Sequence, residues 1–399
     1  MEQTMGEIRE DGEPEAMSGN TTPSAQTKKT TYSWNISREL YHRELNLTNR
    51  IGWRGAHTSA EGFNQAFYGS RQAVEQLTEL FRRGKRGRCL SFNRAGDLLC
   101  SGYQLGNLVV WDWVNQKALC RFSPSRYGGV KRVRFLDSTG GLDIVSANDG
   151  GQVHRSLIPP SGGTVLHELL YSHEHVNQLI VVPQSRCEVM SCGSQLKHFD
   201  FRTHVGNTLL SCPQRIFSVA HHPYAPEICL GGSDEVLRVY DKRNPSTPLA
   251  QKSPFTAEHV SLECSWMKSV AYNHSGSEIL VSYTHDDIYL FSTRDWSAGY
   301  LHKYRGRYNN PAGAAMFFGP KSEFILSTNY GAHILFWDRN TEALIKNTNA
   351  RPFSWIHELE AHPWLPVLAS AEAEHAIKLW APRGGTENGL ALMRDPLYI

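Results

Sequence analysis

Short apolar runs alternate with turn-forming Gly, Pro, Asn, Asp and Ser from about residue 74 onward, and the pattern recurs. Each copy opens on an apolar strand, near Cys89, Val133, Leu179, Val219, Val270, Ala315 and Leu359. A polar or Pro-containing turn follows, such as Asn93-Arg94-Ala95-Gly96 or His362-Pro363-Trp364. A second apolar strand then runs into small residues: LLCSGYQLGN, IVSANDGGQ, VMSCGSQLK, ICLGGSDEV, ILVSYTHDD, FILSTNYGA and VLASAEAEH. A third strand closes on an aromatic or its stand-in, often followed by an acid and a base. These endings are Val110-Trp111-Asp112, Val153-His154-Arg155, Phe199-Asp200-Phe201-Arg202, Tyr240-Asp241-Lys242-Arg243, Tyr289-Leu290-Phe291, Phe336-Trp337-Asp338-Arg339 and Leu379-Trp380.

The repeat length of about 41 to 51 residues is within or near the range of four-stranded propeller blades. A sheet this small cannot bury both of its faces alone, so neighbouring copies must cover one another and the ring must close. The sequence therefore predicts an all-β, seven-bladed β-propeller over residues 74–382. The last copy runs out soon after Trp380 without a fourth strand, and VEQLTELFRR at 74–83 is expected to supply it. Such a closure removes a sheet edge and ties the start of the domain to its end. Residues 1–31, polar and almost without large apolar side chains, are expected to be disordered. Residues 32–73 read as an arm with short helical segments, one carrying Leu40, Tyr41, Leu45 and Leu47 and another near Phe67, and 383–399 as a flexible tail.

Composition narrows the function. Lys and Arg total 41 against 39 Asp and Glu, a net charge of +2, which provides no broad field for nucleic acid or an anionic membrane and turns attention to protein partners. The 8 cysteines stand apart, with no CxxC pair, and the N-terminus is acidic without an apolar signal core; reduced thiols in the nucleus and cytoplasm are the expectation. No segment is long and apolar enough to be read as a membrane-spanning helix. The 18 histidines include His173 with His175 and His221 with His222, but without thiol or carboxylate partners at metal spacing, so they read as turn residues. Neither a GxSxG elbow nor a GxxxxGK[ST] cradle occurs. No catalytic residue, metal or cofactor is expected. The basic run Arg82, Arg83, Lys85, Arg86 and Arg88 reads as a solvated connection, with a nuclear import signal or nucleic-acid contact as the alternative.

With seven such endings in place, the chain resembles the WD40-repeat family, and within it the cullin-4-associated factors, substrate receptors of a RING ubiquitin ligase. The strings that carry the likeness are Asn273-His274-Ser275-Gly276-Ser277-Glu278, Asp286-Asp287-Ile288-Tyr289-Leu290-Phe291, Phe318-Gly319-Pro320-Lys321-Ser322-Glu323-Phe324, His362-Pro363, Leu365-Pro366-Val367-Leu368 and Lys378-Leu379-Trp380-Ala381-Pro382. The resemblance implies docking to the ligase adaptor, the large damaged-DNA-binding subunit, and through it to cullin-4, with a protein substrate of unknown identity held elsewhere. It implies a WDxR-type ending on adjacent blades plus an N-terminal helical element. Here that places Phe199, Asp200 and Arg202 beside Tyr240, Asp241 and Arg243, with Leu40, Tyr41 and Leu45 in the arm. An Arg suits such a contact because its planar fork of donors can bind two acceptors at once. The plainer reading is that each Arg serves only its own Asp. Arg339 comes one place too early and is expected to face the other way. Turns at Asn329-Tyr330-Gly331-Ala332 and Glu372-Ala373-Glu374 lack the usual Asp, and Gly306-Arg307 replaces a Gly-His pair, which predicts looser blades there. A non-catalytic scaffold or peptide reader without a ligase link is the alternative.

Overall fold

The computed structural model describes residues 60–84, 86–125, 128–136, 142–159, 164–183, 185, 187–255, 265–306, 313–329, 331–348, 354–373 and 377–383, with Ser37 and Leu40 ahead of them. Among the described elements two short helices, α1 (Ala60–Tyr68) and α2 (Arg71–Glu75), precede 28 strands numbered in chain order. The strands form seven four-stranded antiparallel sheets, so the chain is a seven-bladed WD40-type propeller. The innermost strands, in blade order, are β2 (Gly87–Phe92), β6 (Val130–Leu136), β10 (Gln178–Val181), β14 (Ile216–His221), β18 (Met267–Tyr272), β22 (Ala315–Phe318) and β26 (Ile356–Ala361). The third strands are β4 (Leu108–Asp112), β8 (Gln152–Ile158), β12 (Gln195–Asp200), β16 (Leu237–Asp241), β20 (Ile288–Ser292), β24 (His333–Asp338) and β28 (Ile377–Pro382).

The repeated small and aromatic residues explain themselves in pairs. In two blades a Ser of the second strand receives the indole of the third: Trp111 Nε1 donates to Ser101 Oγ at 2.8 Å, and Trp380 Nε1 to Ser370 Oγ at 2.9 Å. Both serines are fully buried. The hydroxyl thus satisfies the one polar atom of a large apolar side chain inside the sheet. Core residues fall into seven clusters, one at each junction between neighbouring blades; Cys229, Leu237 and Val239 of one blade, for example, pack on Met267, Val270 and Tyr283 of the next. The propeller has no single central core, only a ring of interfaces around a channel. Cys89, Cys100, Cys192 and Cys229 lie in these interfaces as free thiols, and burial pushes each of them up.

The ring closes where β1 (Leu77–Arg83) pairs with β28, from Leu77 opposite Pro382 to Arg83 opposite Ile377, with an irregularity between Glu79 and Phe81. The strand begins three residues later than the alternation suggested. Ser70 caps α2 by accepting from the Ala73 amide, and this completes a helical turn that takes up Val74 and Glu75. Those helices seal the joint: Tyr68 lies edge-on to Phe318 at 5.0 Å and donates to the carbonyl of His362 at 3.3 Å. At Glu372, where the usual turn Asp is missing, buried Lys378 forms an ion pair and lies 3.7 Å from Glu79 of the closing strand. The Lys378 ammonium thus links that turn to the closing strand.

Leu77 is 2% exposed and shares a cluster with Tyr68, Phe336 and Trp380, whereas Leu105 is 81% exposed. Leu77→Ala is expected to lower stability in urea unfolding by about 2–5 kcal/mol, with Leu105→Ala leaving the midpoint in place.

Candidate docking site

The turns that follow β12 and β16 are built alike. Each strand ends on an Asp whose Oδ1 accepts the backbone N–H two residues on, at 2.9 Å in both Asp200 to Arg202 and Asp241 to Arg243. The same carboxylate grips the guanidinium. Nε lies 3.0 Å from Oδ1 in both turns, and Nη2 lies 2.6 Å from Oδ2 at Arg202 and 2.7 Å at Arg243. Each hydrogen-bonded Arg holds its carboxylate down at about 2, well below the usual Asp range. Both forks stay at the surface, 63% and 74% exposed. Each Arg does serve its own Asp, and the pairing orients the fork without hiding it.

One carboxylate joins the two turns. Glu188, at the start of β11 (Glu188–Cys192), accepts from Arg202 Nη2 at 3.2 Å and from His198 Nε2 at 2.8 Å, and it also accepts from Lys242 Nζ. Lys242 precedes Arg243, so a blade-three carboxylate holds the blade-four turn. Burial works to raise Glu188, but the hydrogen bonds from Lys242 and His198 outweigh it and keep the group ionised and low. Beside this hub a groove of about 440 Å³ runs between the blades, with Pro183, Glu188, Arg202 and Lys242 in its walls and Tyr224 at its lip, 69% exposed.

The other expected residues divide. Phe199 and Tyr240 are buried, 4% and 6% exposed, and this corrects their expected place at the contact surface. Phe199 instead packs with Tyr171 and Phe201, so these aromatics anchor the strand ends that carry the turns. Leu40 has helical backbone and is 43% exposed; Tyr41 and Leu45 lie outside the described residues. Arg339 does face elsewhere. Asp338 accepts the amide of Asn340, which therefore occupies the place of Arg202, while Arg339 Nη1 reaches Glu278 of the preceding blade at 3.3 Å. Sequence reasoning missed Arg294. In Ser292-Thr293-Arg294 the Ser292 hydroxyl accepts the Arg294 amide at 3.2 Å, as the Asp carboxylates do, and Arg294 is exposed. Alignment of that tripeptide with Asp200-Phe201-Arg202 would have found it. Three consecutive blades thus carry an exposed Arg at one equivalent position.

His222 and His362 act as turn caps. The Nδ1 of each accepts two backbone amides, and burial lowers His362 to about 4, so it is neutral.

Fold and rim together define a seven-bladed WD40-type propeller, a protein-binding module with clamped arginines on one face. No protein-family model matches the chain. In sequence it is similar to DDB1- and CUL4-associated factor 6, 25% identical to the Mus musculus protein and 24% to the Homo sapiens one, each over 257 residues. These matches cover 58% of this chain but only 29% and 30% of those proteins. A shorter stretch of 93 residues, 23% of the chain, is 31% identical to dynein axonemal assembly factor 10 of Xenopus laevis, covering 25% of it. Among solved structures, Raptor of Chaetomium thermophilum superimposes with a TM-score of 0.65 at 14% identity, over 80% of this chain and 30% of that one. That likeness is one of fold.

Glu188→Ala removes the shared acceptor from Arg202, His198 and Lys242. It is expected to lower stability by about 1–3 kcal/mol in urea unfolding, while Arg243→Ala leaves the unfolding midpoint unchanged.

Proposed function

We propose that this propeller is a non-catalytic substrate receptor of a cullin-4 RING ubiquitin ligase, docking through its arginine rim to the damaged-DNA-binding adaptor. The observation that carries the reading is the matched pair of Asp-x-Arg turns on adjacent blades, equal to within 0.1 Å in the amide, Nε and Nη2 contacts compared above. A preset guanidinium loses little freedom on binding, and its solvent-facing edge can serve acceptors on a second chain. Arg294 extends the row, and Tyr224 adds an aromatic anchor of the kind that concentrates binding energy. The named relatives, themselves called DDB1- and CUL4-associated, support the same direction. Within that series the strings Asn273–Glu278 and Phe318–Phe324 favour a likeness to factor eight. Ubiquitin transfer would fall to other subunits, and a receptor of this kind would work in nucleus and cytoplasm.

Affinity capture of the purified adaptor compares wild type with the Arg202→Ala, Arg243→Ala double variant. The expected result is capture by wild type and a loss of at least tenfold in the double variant, with thermal unfolding unchanged. Equal capture by both, or none by wild type, favours the plain scaffold.

A further inference from the structure

The arginine rim lies where the inner strands end, and the opposite mouth of the channel lies where they begin. There, five of the seven inner strands break register at the same place. The ladder skips one residue between Gly87 and Cys89, Val130 and Arg132, Ile216 and Ser218, Met267 and Ser269, and Ile356 and Glu358. The skipped residues are Arg88, Lys131, Phe217, Lys268 and His357. A bulge takes one residue out of the pairing pattern and re-aims its side chain. Because these strands border the channel, the repeated bulge presents three cations, an imidazole and a phenyl ring to its mouth. Arg132 follows the bulge in blade two and adds a fourth cation.

Among the described residues these charges have few acidic partners. Arg88 pairs with Asp149 at 2.6 Å, and Lys131 donates to the Asn177 side chain at 3.4 Å. Arg132 and Lys268 have no carboxylate partner among the described residues, and Lys268 is exposed. Their proximity across the ring shows in their effects on one another. Partial desolvation by the walls of the mouth, and then Arg132, lower Lys268; desolvation, Arg88, Arg132 and Lys268 together lower His357 to about 4 against the opposing pull of Glu358. Glu358 and Glu360 both lie beside Arg134, at 3.0 and 3.9 Å, so Glu358 offsets only part of the effect on His357. Two tryptophans flank this mouth. Trp266, 37% exposed, stands 6.4 Å from Phe217, and Trp355, 49% exposed, lies edge-on to His357 at 6.2 Å.

We infer that this mouth is a binding site for an acidic peptide segment of a partner protein, with Arg132, Lys131 and Lys268 taking its carboxylates and Trp266 and Trp355 its apolar side chains. Like charges crowded at a low-dielectric opening repel, and an entering anion relieves that repulsion while gaining its own attraction. The occupant is a peptide rather than a nucleic acid because the cations are confined to one opening. The chain's net charge of +2 supplies no broad field for a phosphate backbone, and the two tryptophans beside these cations suit apolar side chains. The inference stands on this mouth alone and does not require the ligase reading.

Fluorescence polarisation of the full chain with a labelled peptide of Glu, Asp and Phe tests it. A Lys/Phe peptide of equal length and a single-stranded oligothymidylate serve as comparisons. Binding of the acidic peptide is expected to weaken as salt rises, to fall at least tenfold in Arg132→Glu, Lys268→Glu, and to fall several-fold in Trp355→Ala. Arg243→Ala should bind as wild type, since it lies on the other face. Lys268→Gln, at an exposed position, guards against misfolding and should weaken binding alone. Absence of acidic-peptide binding, undiminished binding in the folded charge reversals, or equal competition by the oligothymidylate would overturn the proposal.

Discussion

The antiparallel ladder between β1 and β28 is the constraint on which the rest depends. Each blade buries its faces only against its neighbours, so a ring left open at one joint would expose two apolar sheet faces at once. The closing strand comes from the front of the chain and the other three strands of its blade from the back, which makes the joint a contact of very long sequence separation. It is correspondingly well provided for, with Leu77, Trp380 and Tyr68 in one cluster and the Lys378 pair across the strands. Closure of this kind holds the blades in one fixed angular order.

That fixed order is what gives the surface its two distinct faces. Side chains at equivalent strand positions of adjacent blades necessarily stand in a row. Arg202, Arg243 and Arg294 form one such row at the strand ends. Arg88, Lys131, Lys268 and His357 form another around the channel where strands begin. The second grouping draws on no local motif, since its residues are scattered from 88 to 357. A propeller turns a periodic sequence into a circular array, and chemistry at a given phase of the repeat becomes chemistry at a given radius and height.

This also explains what could be read from the chain and what could not. The blade count was legible because the small-residue turn after the second strand and the aromatic or stand-in that closes the third recur at fixed phase, joined by a hydrogen bond at Ser101 with Trp111 and Ser370 with Trp380. The exposed Asp-x-Arg turns were legible for the same reason. Arg294 was not, because a Ser hydroxyl does the work of the Asp carboxylate in accepting the backbone amide, and a motif defined by charge passes over it. The bulges were invisible because period-two alternation does not reveal which residue of an inner strand is skipped. The basic run from Arg82 to Arg88 accordingly looked like one solvated connection, whereas Arg82 pairs with Glu79 on the closing strand and Arg88 enters the channel mouth beside Asp149. The start of β1 was placed early because Val74 fits both an alternating strand and the buried face of a capped helical turn.

Docking by the strand-end face is the centre of the account, and amide hydrogen exchange of the chain with and without the purified adaptor reads it most directly. The account predicts slowed exchange in the turns following Asp200 and Asp241 and in the Tyr224 turn, with the channel mouth around Trp266 and Trp355 unaffected. Protection confined to that mouth, or none anywhere on the propeller, would contradict it.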